Sequence, residues 1–323
     1  MIDGQGRTID YLRISLTDRC NLRCAYCMPP EGVPCLSHEE ILRLEEIGYL
    51  TEIMAGMGLK KVRLTGGEPL VRKNVTSLIR QISHIPGIET VAVTTNGILL
   101  PKMLSDLKDA GLKAVNISID TLDEAVFQKI TGAILLKEVL EGIDIAYASG
   151  LKVKLNCVPV MEFNSEEPVR LAAFAKDRFI DVRFIELMPI GCGRFYTRIT
   201  SEEILESLEK VYGKATRLPY EGKGPAQYFS FEGFKGRIGF ISPISHKFCS
   251  ECNRLRLTSD GKIKLCLYYK DGVDVRDLIR NGADEGRIRE AIEEALRLKP
   301  REHYFCEPDK GNTEVKKMSQ IGG

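Results

Sequence analysis

Six of the ten cysteines in this 323-residue chain fall into two groups of three, and that spacing concentrates the chemistry. Cys20, Cys24 and Cys27 lie within eight residues, so one curled loop can turn three sulfurs toward a single centre. Cys249 and Cys252 are two residues apart, and Cys266 follows after thirteen more. Three thiolates leave a structural zinc site one ligand short, and Cys35 and Cys306 are the nearest candidates for a fourth. An iron–sulfur cube on three thiolates instead keeps one iron open to a small molecule, whereas four would close it. Spacing alone admits both. In a reducing compartment, clustered thiols read as ligands or catalysts rather than as disulfides.

Cations gather in the same stretches. Arg254 and Arg256 alternate on a predicted strand between the ligands of the second trio, so they share one face. Two guanidiniums on one face make a bidentate receptor for phosphate. Arg13 and Arg63 sit among apolar neighbours and require anionic partners if they point inward, while Lys152 and Lys154 share a face by the same alternation. A polyphosphate would use them together.

The elements that must position these groups follow a repeating unit from Tyr11 to about Leu187. Short apolar or β-branched runs at Leu12–Leu16, Lys61–Leu64, Thr90–Thr94, Ala114–Ile119, Val153–Val158 and Val182–Leu187 predict six strands. Helical patterns lie between them at Glu39–Ile47, Asn74–Ile82, Lys102–Ala110, Leu136–Ala148 and Pro168–Lys176. The alternation implies parallel strands, in an open sheet or an incomplete barrel, with chemistry at the strands' carboxyl ends. Thr65-Gly-Gly-Glu-Pro69, Thr94-Thr-Asn-Gly97, Ser118, Asp120, Asn156 and Glu186 occupy those ends. Beyond about Tyr212, Gln227–Phe231, Arg237–Ile241, Asn253–Leu257 and Lys262–Leu267 read as small antiparallel strands of a second domain, followed by helices at Val273–Ile279 and Gly286–Leu298. The stretch from Lys316 to Gly323 reads as a mobile tail.

Composition narrows the classes. With 46 Lys+Arg against 45 Asp+Glu the net charge is +1, so global electrostatics offers no pull toward nucleic acid. Hydrophobic residues at 43% and charged residues at 28% suit an ordinary globular chain. No apolar run is long enough to span a membrane, and the start at Met1 is polar, so a cytoplasmic location is expected.

Cys-x3-Cys-x2-Cys with Tyr26 before its last cysteine, followed by Gly66-Gly-Glu-Pro69, resembles the radical S-adenosylmethionine superfamily. The resemblance implies a [4Fe-4S] cluster on Cys20, Cys24 and Cys27, with its open iron chelated by S-adenosylmethionine. Tyr26, the Gly66-Gly67 backbone, Ser118 and Met188 would contact that cofactor. Further stretches are similar to the GTP 3′,8-cyclase family of molybdenum-cofactor biosynthesis: Leu12-Arg-Ile-Ser-Leu-Thr-Asp-Arg-Cys20, Arg63-Leu-Thr-Gly-Gly-Glu-Pro-Leu70, Thr94-Thr-Asn-Gly97, Arg183-Phe-Ile-Glu-Leu-Met188, Asn253-Arg-Leu-Arg256 and the terminal Gly322-Gly323.

That family resemblance implies an α/β fold, an incomplete (β/α)6 barrel over residues 1–212. A smaller α+β domain over 213–323 would carry a second [4Fe-4S] cluster on Cys249, Cys252 and Cys266. It makes Arg13, Arg63, Thr94, Lys154, Arg254, Leu255 and Arg256 the GTP contacts, and sends Gly322 and Gly323 into the active site. It implies an external electron donor and hand-off of product to the cyclic pyranopterin monophosphate synthase, with no nucleic acid or membrane partner, and is compatible with a homodimer. Cys157 reads as core, while Cys35, Cys192 and Cys306 match no ligand position. Two other readings use the same cysteines: a radical enzyme that modifies peptides with an auxiliary cluster, and a zinc-stapled nucleic-acid-binding protein.

Overall fold

The computed structural model describes residues 1–220, 224–307 and 312–322. Six parallel strands form its centre: β1 (Tyr11–Ser15), β2 (Lys61–Thr65), β3 (Thr90–Thr95), β4 (Ala114–Ser118), β5 (Lys152–Cys157) and β6 (Asp181–Ile185). They pair in chain order, and their alternation explains the layers. On β1, Leu12 and Ile14 are fully buried in the core while Tyr11 and Arg13 line an inner cavity. The same division holds on β2, where Val62 and Leu64 pack outward and Lys61, Arg63 and Thr65 face in. Crossover helices supply the outer layer. Glu124–Thr131, for example, is capped by Asp123, whose carboxylate accepts the Val126 N–H at 3.0 Å, and it ends at Gly132 with φ +73°.

The C-terminal strands are not the separate antiparallel sheet expected from the sequence. β9 (Ile238–Ile241) pairs parallel with β6, and β10 (Arg254–Leu257) pairs parallel with β1. β7 (Thr216–Arg217) and β8 (Gln227–Ser230) extend one edge antiparallel; β11 (Lys262–Lys264) and β12 (Gly272–Asp274) extend the other. Among the described residues one sheet of twelve strands results. Six parallel strands that stop short of closure would leave two open hydrogen-bonding edges, and these additions cover both.

Two further expectations need correction. The helix expected from Glu39 begins only at Leu44. Ser37 and Glu40 instead close a turn on each other, Arg280 takes the carbonyls of Glu39 and Ile41, and Arg72 takes that of Leu42 at 2.9 Å. The Leu42 N–H meanwhile donates to the Ser259 carbonyl at 2.8 Å, so it is lost to a helical ladder, which starts only beyond it. Nor do the described residues of the C-terminal tail hang free. Met318–Ile321 is a helical turn, and Ser319 and Ile321 are each 1% exposed.

Candidate active site

The inner faces of the barrel strands and the C-terminal additions enclose one cavity of about 620 Å³. Register decides which cations meet there. Arg13 on β1 lies opposite Arg256 on one side and Arg63 on the other; Tyr11, two residues earlier, lies between Arg254 and Lys61. Adjacent strands are roughly 5 Å apart, so three guanidiniums stand in a row. Farther round, Thr94, Asn116, Lys154 and Asp181 share one level, and Ser118, Asn156 and Arg183 another.

Crowding and desolvation act on several of these groups. Burial, then the neighbouring Arg256, holds Arg13 well below the ordinary arginine range. Burial and Arg254 bring Arg256 down to about 10, and burial with Arg183 brings Lys154 to about 8 although Asp181 opposes them. Burial raises the Tyr11 phenol, but Arg63 and Arg13 outweigh it and set the group at about 8; Arg63 Nε donates to its oxygen at 2.5 Å. Asp181, the acid at this level, is already taken by Arg237 at 2.9 Å and Lys154 at 3.2 Å. A row of buried cations that outnumbers its acids is built to receive a polyanion, with guanidiniums matched in geometry to phosphate oxygens.

The first trio sits in the loop after β1. Two glycines of the loop after β2 let the segments touch: a Cβ on Gly66, whose φ is +154°, would lie 2.5 Å from the Thr17 carbonyl, and one on Gly67 2.3 Å from that of Arg19. Gly67 N–H donates to Thr17 and Glu68 N–H to Arg19. Glu68 is 1% exposed and accepts from Leu70 and Asn96 N–H and the Thr95 hydroxyl, yet burial still lifts it to about 7. Tyr26 donates to Asp120 at 2.6 Å, and burial holds that acid at about 6. Cys20, Cys24, Cys27, Tyr26, Gly67, Ser118 and Met188 all line the cavity.

Cys249, Cys252 and Cys266 line it as well. Burial raises the thiols of the first trio, with neighbouring sulfurs adding to it at Cys24 and Cys27, and burial also raises Cys249. Burial likewise opposes ionisation of Cys252, but Lys299, Arg254 and Arg7 draw it below the ordinary thiol value. Among the described residues no three Cys, His, Asp or Glu side chains are arranged to hold a lone metal ion. Each trio brings three thiols to the wall of one cavity, the donor set of an iron–sulfur cube with one iron left open.

The remaining cysteines are elsewhere. Cys35 and Cys306 are exposed and do not line the cavity. Cys157 is buried against Asn164, and Cys192 is buried near Cys27. Of the expected nucleotide contacts, Arg13, Arg63, Thr94, Lys154, Arg254 and Arg256 face the cavity. Leu255 does not: alternation turns its side chain into the core at 1% exposure, leaving only its backbone on that level. Gly322 does reach the site, its carbonyl accepting from Arg256 Nη1 at 2.6 Å. Gly323 lies outside the described residues.

Sequence reasoning missed Tyr11, Lys61, Asn116 and Tyr228 in the lining. Tyr11 had a signal, since it alternates with Arg13. Tyr228 had none, because its place beside Lys154, at 2.8 Å, depends on β8 folding back against the barrel's far edge.

A parallel partial barrel with three cysteines in its first loop defines the radical S-adenosylmethionine class, and residues 14–175 match the Radical SAM superfamily. Residues 180–305 match Molybdenum Cofactor Synthesis C. The GTP 3′,8-cyclase of Moorella thermoacetica is 47% identical over 328 residues, and that of Clostridium perfringens (strain 13) 46%, each with 100% of both chains covered. The chain belongs to the GTP 3′,8-cyclase family. Its fold is also similar to Streptococcus suis SuiB bound to precursor peptide SuiA, with a TM-score of 0.60 at 16% identity, covering 87% of this chain and 67% of that one. At that identity the likeness bears on fold alone.

Proposed function

We propose that this chain converts GTP to 3′,8-cyclo-7,8-dihydroguanosine triphosphate, the first step of molybdenum-cofactor biosynthesis. Hydrogen leaves ribose C3′, C3′ bonds to C8 of the same guanine, and a reduction and proton transfer complete the product. When bound, a reduced [4Fe-4S] cluster and S-adenosylmethionine supply the radical chemistry. The observation that carries the reading is the row Arg256, Arg13 and Arg63, facing the same cavity as both cysteine trios.

In this reading, Cys20, Cys24 and Cys27 hold one cluster and Cys249, Cys252 and Cys266 the other, where guanine binds. Tyr26, the backbone of Gly66 and Gly67, Ser118 and Met188 surround S-adenosylmethionine. Arg13, Arg63, Lys154, Arg254 and Arg256 neutralise the triphosphate, with Thr94 beside Arg63 at 3.4 Å. Anchoring both ends of the nucleotide keeps ribose and base in the one conformation that cyclisation requires. Gly322 closes the site from the tail. Residues 1–212 form the barrel unit and 213–323 the unit bearing the second cluster.

An external one-electron donor and hand-off to the cyclic pyranopterin monophosphate synthase complete the reading, and the setting is cytoplasmic. Among the described residues no helix is long and apolar enough to cross a membrane. Reconstituted, reduced protein given GTP and S-adenosylmethionine should release 5′-deoxyadenosine and a cyclised nucleotide. A cluster-replete sample that forms no GTP-dependent 5′-deoxyadenosine would overturn the reading.

A further inference from the structure

Lys299 is 3% exposed, just past the helix Glu285–Arg297, and no carboxylate ion-pairs with it among the described residues. Its ammonium donates to the carbonyls of Arg254, at 3.0 Å, and Leu265. The first lies two residues after Cys252 and the second immediately before Cys266. One charged nitrogen therefore links the two chain segments that deliver those sulfurs to the cavity.

Its surroundings sharpen the contrast. The acidic groups that act on it are the thiols of Cys252 and Cys266 and, more weakly, Asp3. Asp3 is committed elsewhere, accepting from Arg7 Nε at 2.7 Å. Arg7 in turn donates to the carbonyls of Cys249, at 2.7 Å, and Pro300, at 2.8 Å, mooring the turn that carries Lys299 under the second trio. Lys264, also deeply buried, has a buried carboxylate partner in Glu314. Burying an ammonium with only carbonyl acceptors is unfavourable unless a negative charge arrives beside it.

Resting on the assignment of Cys249, Cys252 and Cys266 as cluster ligands, we infer that Lys299 is the counter-ion of the second iron–sulfur cluster and tunes its reduction potential. Three thiolates make that cluster anionic, and reduction adds another negative charge. A fixed cation a short distance behind the sulfurs stabilises the reduced form more than the oxidised one, so it raises the potential and helps retain the cluster. Lys299 does not line the cavity, so it acts on the cluster from behind the sulfurs and not on the reacting atoms.

The test is a potentiometric titration of the reconstituted two-cluster protein, followed by electron paramagnetic resonance. Signals are assigned by adding S-adenosylmethionine, which perturbs the first cluster alone. Lys299→Met removes the charge at similar volume, and Lys299→Arg keeps it. The second cluster should shift to a more negative potential in Lys299→Met, stay near its original value in Lys299→Arg, and leave the first cluster unmoved in both. Chelator should also remove the second cluster from Lys299→Met about 10- to 100-fold more readily.

A fully loaded Lys299→Met protein with an unshifted second potential would overturn the inference. So would an equal shift in Lys299→Arg, or a Lys299→Met chain that loads neither cluster, since the side chain would then act through packing. A native protein that holds only one cluster would sink the ligand assignment together with the inference, which separates the two failures.

Discussion

Arg256 donates through Nη1 to the carbonyl oxygen of Gly322 at 2.6 Å, so Gly322 rests on the β10 guanidinium that stands beside Arg13 of β1. The tail is thereby tied to the arginine row, not merely near it. Upstream anchors hold it in register: Glu314 pairs with Lys264 in a buried site, and Lys316 reaches Asp260 at 2.6 Å.

Gly322 has φ +75°, and a Cβ there would lie 2.8 Å from Thr65 Oγ1 and 2.9 Å from Ser15 Cβ. Gly322→Ala faces both a left-handed backbone and a filled space, at about 1–3 kcal/mol. The tail should leave the cavity, with faster amide exchange over residues 314–322 and a fall in cyclised product of about tenfold or more. Wild-type exchange and turnover in this variant would show that the tail's docking is irrelevant to the reaction.

Arg13 is the middle member of the row, and burial with its like-charged neighbours Arg256 and Arg63 disfavours its charged form. Arg13→Met should therefore raise the thermal midpoint of the GTP-free protein while weakening GTP, with roughly 1.5–3 kcal/mol lost for a hydrogen bond to a charged group. Thermal shift with and without GTP reads both signs at once. A variant destabilised without GTP and unaltered in GTP affinity would contradict the electrostatic account.

How far the sequence carried this depended on whether a feature was local. The barrel strands are legible because an apolar run of five or six residues, repeated between helical patterns, specifies a parallel strand by itself; β5, expected from Val153, begins at Lys152. The arginines of the site follow from the same alternation, and alternation also removes the Leu255 side chain from the cavity. What stayed hidden is set by partners far along the chain. Ser259 draws the Leu42 amide away from a helix, β9 takes a parallel partner 56 residues back and β10 one 243 residues back, and Glu314 finds Lys264 only once the tail has docked.

Lys154 and Tyr11 make the site sensitive to alkaline pH. The Lys154 pKa falls to about 8 from an ordinary 10.5, so above about pH 8 the folded protein loses a cation that the unfolded chain keeps. Between these values the unfolded chain binds more protons, and this lysine's contribution to stability rises with pH. Phosphate binding runs the other way. Loss of the Lys154 charge, together with the Tyr11 phenolate forming at about 8, should lower kcat/KM for GTP as pH rises through that range. Tyr11→Phe should remove one of the two ionisations and make the decline shallower. An unchanged profile in that variant would show that Tyr11 does not titrate there.

Gly67 tests how the first cysteine loop is held. A Cβ at this position would lie 2.3 Å from the Arg19 carbonyl oxygen and 2.6 Å from its carbon, against backbone that cannot rotate away. The loop that carries Arg19 continues directly into Cys20, so the displacement passes to the sulfur ligands. Gly67→Ala should cost about 1–3 kcal/mol of stability through overpacking and, more tellingly, should lower the iron held by the first trio while sparing the second. Loss from both trios in equal measure would mean general unfolding. Full iron content with normal S-adenosylmethionine cleavage would mean that the loop yields without moving Cys20, and that the close approach of Gly67 to Arg19 does not set the cluster's position.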